Sequence, residues 1–117
     1  MPSDVASFLP VPPRDYLVLF SLTNGECHGY GIVKQIESMT GATVTMDPSN
    51  LYRSIKRLID VGLVRETNRQ TDSAAAGTGR RRLYAITDLG AAVVAAEAER
   101  LSRLTDAARA RRLIPGG

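Results

Sequence analysis

The chain has 117 residues, of which 44% are apolar and 23% charged, a balance that fits one folded unit and argues against wholesale disorder. Fifteen Lys and Arg against twelve Asp and Glu give a net charge of +3, which permits a polyanionic partner without requiring one. A single cysteine, Cys27, excludes an internal disulfide, and the single histidine, His28, excludes a repeated Cys/His metal frame, so a reducing cytoplasm is the expected compartment.

Residues 1–12 carry three of the six prolines and read as an extended N-terminal arm with little regular structure, although Phe8 and Leu9 offer it an apolar handle. From Pro13 the pattern changes: "PRDYLVLFSLTNG" opens with proline in a first helical turn and closes on Asn24 and Gly25, predicting a short, nearly apolar first helix. Its apolar run from Tyr16 to Phe20 is too short to cross a bilayer, and no membrane partner is expected. In "HGYGIVKQIESMTG" the apolar residues Tyr30, Val33, Ile36 and Met39 recur at three-residue steps with Ile32 beside them, predicting a second helix over 30–40 that stops at Gly41. "ATVTMD" is an extended link or a minor strand.

Asp47, Pro48 and Gly62 bracket the third helix, predicted over 48–61: an acceptor for the first free amides, a residue with no amide to satisfy, and a left-handed stop. At about 100° per residue Leu51, Ile55, Leu58 and Ile59 form one stripe. Ser49, Asn50, Arg53, Lys56 and Arg57 gather on the other side with Asp60 at its edge, and Tyr52 falls on the boundary, half in the core. "LVRETN" and "LYAIT" then bracket the basic, glycine-containing stretch "RQTDSAAAGTGRRR", predicting an antiparallel hairpin with a long tip. Thr87 or Asp88 caps a last helix over 88–112, followed by a tail at 113–117. Val94, Leu101 and Ala108 repeat at seven residues with Leu104 beside them, a thin seam suited to a partner helix.

Three short helices, a hairpin and a further helix define an α+β, mostly α fold in the order of a winged helix-turn-helix, with 13–87 as the DNA-binding domain and 88–112 as the dimerisation helix. A helix in a major groove reads base edges from its N-terminal end, where Ser49, Asn50, Tyr52 and Arg53 stand. Lys56 and Arg57, one turn on, are placed for phosphates, which give affinity and register but no base information. Arg69, Arg80, Arg81 and Arg82 on the hairpin suit an adjacent minor groove or its backbone. The plain alternative for such a helix is a solvated amphipathic face, and the basic hairpin that follows directly tips the balance to DNA. "ECHG" at 26–29 supplies adjacent ligands on one short loop, which do not close a tetrahedral site; His28 is expected instead to orient the turn into the second helix. No paired catalytic carboxylates and no Ser/His/Asp set stand out, so neither an enzyme nor a cofactor is expected.

"HGYGIVKQI", "SNLYRSIKRLIDVGLV" and "RRRLYAITDLG" together resemble the PadR family of transcriptional regulators, over residues 14 to 92. The resemblance implies a homodimer joined through the helix after the wing, with recognition helices in successive major grooves of a pseudo-palindromic operator, acting as a repressor. It assigns DNA-facing roles to Ser49, Asn50, Tyr52, Arg53, Lys56, Arg57, Arg80 and Arg81, dimerisation to the last helix, and a structural role to His28, Gly29 and Tyr30. It also implies a small-molecule effector near the dimer interface, for which this chain, with no Trp, offers little aromatic surface. The chain departs from the family pattern at Ser49 and Asn50, one of which is often glycine, and at Gly31, where an acidic residue is usual. The competing reading from another class is a protein-interaction module that uses the same fold, with the last helix and the Phe8 and Leu9 arm as its contact.

Overall fold

The computed structural model describes residues 3–67 and 82–115. Helices α1 (Ser3–Ser7) and α2 (Pro13–Leu22) lead into a two-residue strand β1 (Cys27–His28), then α3 (Gly29–Met39), α4 (Pro48–Asp60), strands β2 (Val64–Thr67) and β3 (Leu83–Ile86), and the long α5 (Asp88–Ala110). The sheet is antiparallel with β3 in the middle: Cys27 faces Tyr84 on one side, and Val64 faces Ile86 on the other. This is a winged helix, with α3 and α4 as the helix-turn-helix pair and β2 and β3 as the stem of the wing. The tip of the predicted hairpin lies outside the described residues.

One apolar core joins every layer. Val18, Leu19 and Leu22 of α2 meet Ile32 and Ile36 of α3, Leu51, Ile55 and Leu58 of α4, Leu63 and Val64 at the root of the wing, and Val93 and Val94 of α5. The ends of the helices follow from local chemistry. Pro13 starts α2, Asp47 caps α4, and Thr87 caps α5 by accepting the Gly90 N–H at 3.0 Å. Gly62, at φ 84°, supplies the left-handed turn that releases the chain from α4 into β2.

Four expectations change. The N-terminal arm is not simply extended: residues Ser3–Ser7 form a helix, and Val5 and Val11 are buried in the core with Phe8 and Leu9 packed against it. Burial of Val5 supplies what the proline-rich composition hides. Strand β1 has no periodicity of its own and exists because β3 offers it a hydrogen-bonding edge. On α3 Ile32 and Ile36, one turn apart, are buried and Val33 packs against the core, while Tyr30 is 62% and Met39 40% exposed, so the two ends of the three-step stripe lie outside the core. Val94, counted with a partner-facing seam, is buried in the chain's own core, because the first turns of α5 pack back on α2 and β3.

Candidate nucleic-acid interface

The N-terminus of α4 is held by one carboxylate. Asp47 Oδ1 accepts the Asn50 N–H at 2.8 Å, and Asp47 Oδ2 accepts the Asn50 side-chain amide at 3.1 Å. The first turn is therefore preorganised, and the Asn50 Nδ2 group is engaged within the chain. With Leu51, Ser54, Ile55 and Leu58 buried, the helix can turn only one face outward. Ser49, Arg53 and Lys56 are exposed along that face, and Lys56 forms an i,i+4 ion pair with Asp60 at 3.2 Å, open to solvent.

Tyr52 is half exposed, as its boundary position predicts. Its hydroxyl lies over Gly29: a Cβ placed there would stand 2.8 Å from that oxygen, so a larger residue at the start of α3 would push the Tyr52 ring outward. Next to it, His28 Nδ1 accepts the Gly31 N–H at 3.0 Å and caps α3, the turn-orienting role expected of this histidine. The His28 and Tyr30 rings stack at 6.5 Å, and the Lys34 ammonium sits 5.3 Å from the Tyr30 ring centre. A hydrogen bond with the Tyr30 hydroxyl, with Glu37 adding to it, holds Lys34 above its ordinary range and keeps it charged. Sequence reasoning passed over Tyr30 as a surface residue because it counted Tyr30 in the core stripe.

Arg57 makes a bond that its sequence position does not announce. Its Nε donates to Asp15 Oδ2 at 3.0 Å and its Nη2 to Asp15 Oδ1 at 2.6 Å, with Ser54 Oγ 3.3 Å from the same Nη2. Asp15 is buried on α2, and this two-pronged bond raises the Arg57 guanidinium further above its already high range. The arginine read as a phosphate contact also ties α4 to α2. Nothing in the local sequence around Asp15 signals this: an acid in a first helical turn is ordinary.

On the wing, Arg65 is exposed and Arg82 reaches Glu66 at 3.5 Å. Arg69, Arg80 and Arg81 lie outside the described residues. Burial pushes the Cys27 thiol up, against a 3.6 Å contact from the Gln35 amide, so the thiol is protonated and packed beside Gly31. Among the described residues no three His, Cys, Asp or Glu side chains gather as a metal site, and no helix is long and apolar enough to cross a membrane. On α5, Leu101 and Ala108 are half-buried and Leu104 is 57% exposed.

The model of the transcriptional regulator PadR-like family matches residues 18–96. A 37.1 kDa uncharacterized protein in transposon TN4556 of Streptomyces fradiae is 33% identical over 89 residues, which cover 76% of this chain; the chain spans only 23% of that protein's length. Among solved structures, Bacillus subtilis PadR in complex with operator DNA is 27% identical, with a TM-score of 0.58 over 71% of this chain and 46% of that one. A PadR family transcription regulator from Clostridium difficile, 20% identical, shares the fold with a TM-score of 0.68 over 84% of this chain and 96% of its own.

Proposed function

The chain belongs to the PadR-like family of transcriptional regulators, and on that premise we propose that it is a cytoplasmic, homodimeric repressor which reads a pseudo-palindromic operator with α4 and the wing. The observation that carries this reading is the outward face of α4. Ser49 and Arg53 are exposed next to a capped N-terminus, and Lys56 follows one turn on. Two of the three are cations, and the helix that presents them is locked to its neighbours by Asp15, Leu51, Ile55 and Leu58. That Bacillus subtilis PadR was solved with operator DNA supports the same use here.

The division of labour follows the distance of each residue from the N-terminus of α4. Ser49, Asn50 and Arg53 read base edges, with Asn50 offering its carbonyl because its amide is held by Asp47. Tyr52 lies at the edge of the contact, and Lys56 meets phosphate by leaving Asp60, a pair too exposed to hold it. Arg80 and Arg81 of the wing reach the neighbouring minor groove or its backbone. Arg57 fixes α4 on α2 through Asp15 and, with half of its side chain open to solvent, remains placed for a phosphate. Residues 13–87 form the DNA-binding unit and 88–112 the dimerisation helix. Two-fold symmetry sets half-sites about one helical turn, roughly 34 Å, apart.

Fluorescence anisotropy on a duplex from upstream of the chain's own gene, beside a scrambled duplex at two salt concentrations, tests the proposal. The expected result is a preference of about a hundredfold or more for the native duplex, falling steeply with salt. Arg53→Ala is expected to lose the preference and Lys56→Ala to weaken both duplexes alike, with a salt slope lower by about one. Equal losses on both duplexes for Arg53→Ala refute its base-reading role. Binding that ignores salt points instead to an interaction module.

A further inference from the structure

Tyr30 turns a large aromatic ring to solvent from a helix whose opposite side supplies Ile32 and Ile36 to the core. The ring is nonetheless held. It stacks on His28, the cap of α3, and its hydroxyl is hydrogen-bonded to the Lys34 ammonium, which lies 5.3 Å from the ring centre. An ammonium can only donate, so the phenol oxygen accepts this bond and its own O–H is left to donate outward. At about 100° per residue Tyr30, Lys34 and Glu37 share an arc of about 60°, away from Ile32 and Ile36. Glu37, 3.7 Å from Lys34 and partly open to solvent, holds the ammonium weakly and yields it to a stronger acceptor. The first turn of α3 carries no acid, and at Gly31 a Cβ would stand 2.5 Å from the Cys27 sulfur, so nothing in that turn beside Tyr30 repels an anion.

This face borders the surface that α4 turns outward. The Tyr52 hydroxyl lies over Gly29, the residue before Tyr30, and on the α4 wheel Tyr52 stands about 40° from Lys56. The N-terminal end of α3 therefore flanks the arc of Ser49, Arg53 and Lys56. A major groove is about 12 Å wide and a helix with its side chains about 10–12 Å across. A helix that fills the groove brings the strand at its flank against whatever is packed beside it.

We propose that Tyr30 and Lys34 together bind a backbone phosphate of duplex DNA, on the strand that flanks the groove read by α4. The Tyr30 hydroxyl donates one hydrogen bond to the phosphate, and the Lys34 ammonium donates a second and brings its charge. The inference rests on the DNA reading of the preceding section and extends it to a helix outside the recognition helix. Because His28 and Lys34 hold the ring in the free chain, little side-chain freedom is left to lose on binding. A contact of this kind adds affinity and fixes register, and it reads no base.

The test is binding of the full chain to the upstream duplex and to the scrambled duplex over a range of salt. The variants are Tyr30→Phe, Lys34→Ala, Lys34→Arg and, as a control on α5, the exposed Arg103→Ala. Tyr30→Phe keeps the ring on His28 and Lys34 is exposed, so thermal unfolding of each variant is expected to match that of the parent. Lys34→Ala is expected to weaken both duplexes alike, by about tenfold at low salt, with a salt slope lower by about one. Lys34→Arg should restore the slope and Arg103→Ala should leave it unchanged. Tyr30→Phe is expected to cost about fivefold on both duplexes at an unchanged slope, and much less once Lys34 is alanine. A parental slope in Lys34→Ala, an equal fall in Arg103→Ala, or a changed preference for the native duplex overturns the phosphate contact and leaves α4 as the reader. Losses for Tyr30→Phe and Lys34→Ala that simply multiply overturn the pairing of the two side chains. A parent chain that binds neither duplex overturns the inference together with the DNA reading beneath it.

Discussion

Arg57→Met leaves the Asp15 carboxylate, only 5% exposed, without the guanidinium that neutralises it, whereas Asp15→Ala leaves a guanidinium side chain that is 51% exposed to water. The two halves of the pair should therefore cost unequal amounts. Removing one partner of a fully buried pair costs about 3–5 kcal/mol. Half of this pair is wet, and Asp15 keeps the support of the α2 N-terminus, a further ~0.3–1 kcal/mol, so Arg57→Met is expected to cost about 2–3 kcal/mol. Asp15→Ala is expected to cost about 1 kcal/mol, since water takes over the guanidinium. The double variant should resemble Asp15→Ala alone, giving a coupling of about 2–3 kcal/mol by urea unfolding. In a chain of this length a loss of about 2 kcal/mol lowers Tm by about 8 °C. The exposed Lys56 and Asp60 pair, run as a control, should show no measurable coupling. A coupling for Asp15 and Arg57 below about 0.5 kcal/mol would falsify the idea that α2 holds the recognition helix through this bond. The same variants separate stability from DNA contact, because Arg57→Met should leave the salt slope of binding unchanged if the arginine faces inward.

Gly90→Ala should destabilise by about 2–3 kcal/mol, since its Cβ would run into the Leu63 carbonyl and Ile86; a melting curve that matches the parent would show that this junction has slack. Asp47→Ala should cost about 1 kcal/mol and also weaken operator binding, because one carboxylate both caps α4 and orients Asn50; loss of stability with operator affinity intact would remove Asn50 from the reading surface. Glu97 is held below the usual carboxylate range, chiefly by Arg100, so its contribution is full above its ordinary pKa and is lost as pH falls through the lowered value. Glu97→Gln should be less stable at neutral pH and should lose less than the parent on acidification from pH 5 to 3. Parallel losses in the two proteins over that range would assign the acid response elsewhere.

The winged-helix order was legible because its punctuation is chemical and local. Asp47 before Pro48, Gly62 after α4, and Thr87 before α5 announce themselves within four residues, and each caps or turns the chain where it was expected to. What stayed hidden depends on partners far away in the chain. Asp15 and Arg57 lie 42 residues apart, and each looks like an ordinary surface charge until α2 and α4 are packed together. Val94 fits a seven-residue seam as well as it fits a core, and only the packing of α5 on α2 and β3 decides between them. A two-residue strand such as β1 is invisible to any pattern of period two. The outward arc of α4 was legible from its wheel, whereas the bond that ties Arg57 on that arc to Asp15 was not.

Thr87 bonds in three directions. Its hydroxyl donates to Gly62 O at 2.7 Å and accepts from Gly90 N–H at 3.0 Å, while its own N–H donates to Leu63 O at 3.0 Å. The exit of the recognition helix, the root of the wing and the start of α5 therefore meet at one side chain, with Gly90 pressed against the same carbonyl. In the proposed dimer the span between the two recognition helices is then built in as a rigid ruler. Each base pair inserted between half-sites moves one of them by roughly 34° and 3.4 Å, and a joint with no give has no means of following it. Operators for this chain are expected to tolerate changes of letter far better than changes of spacing.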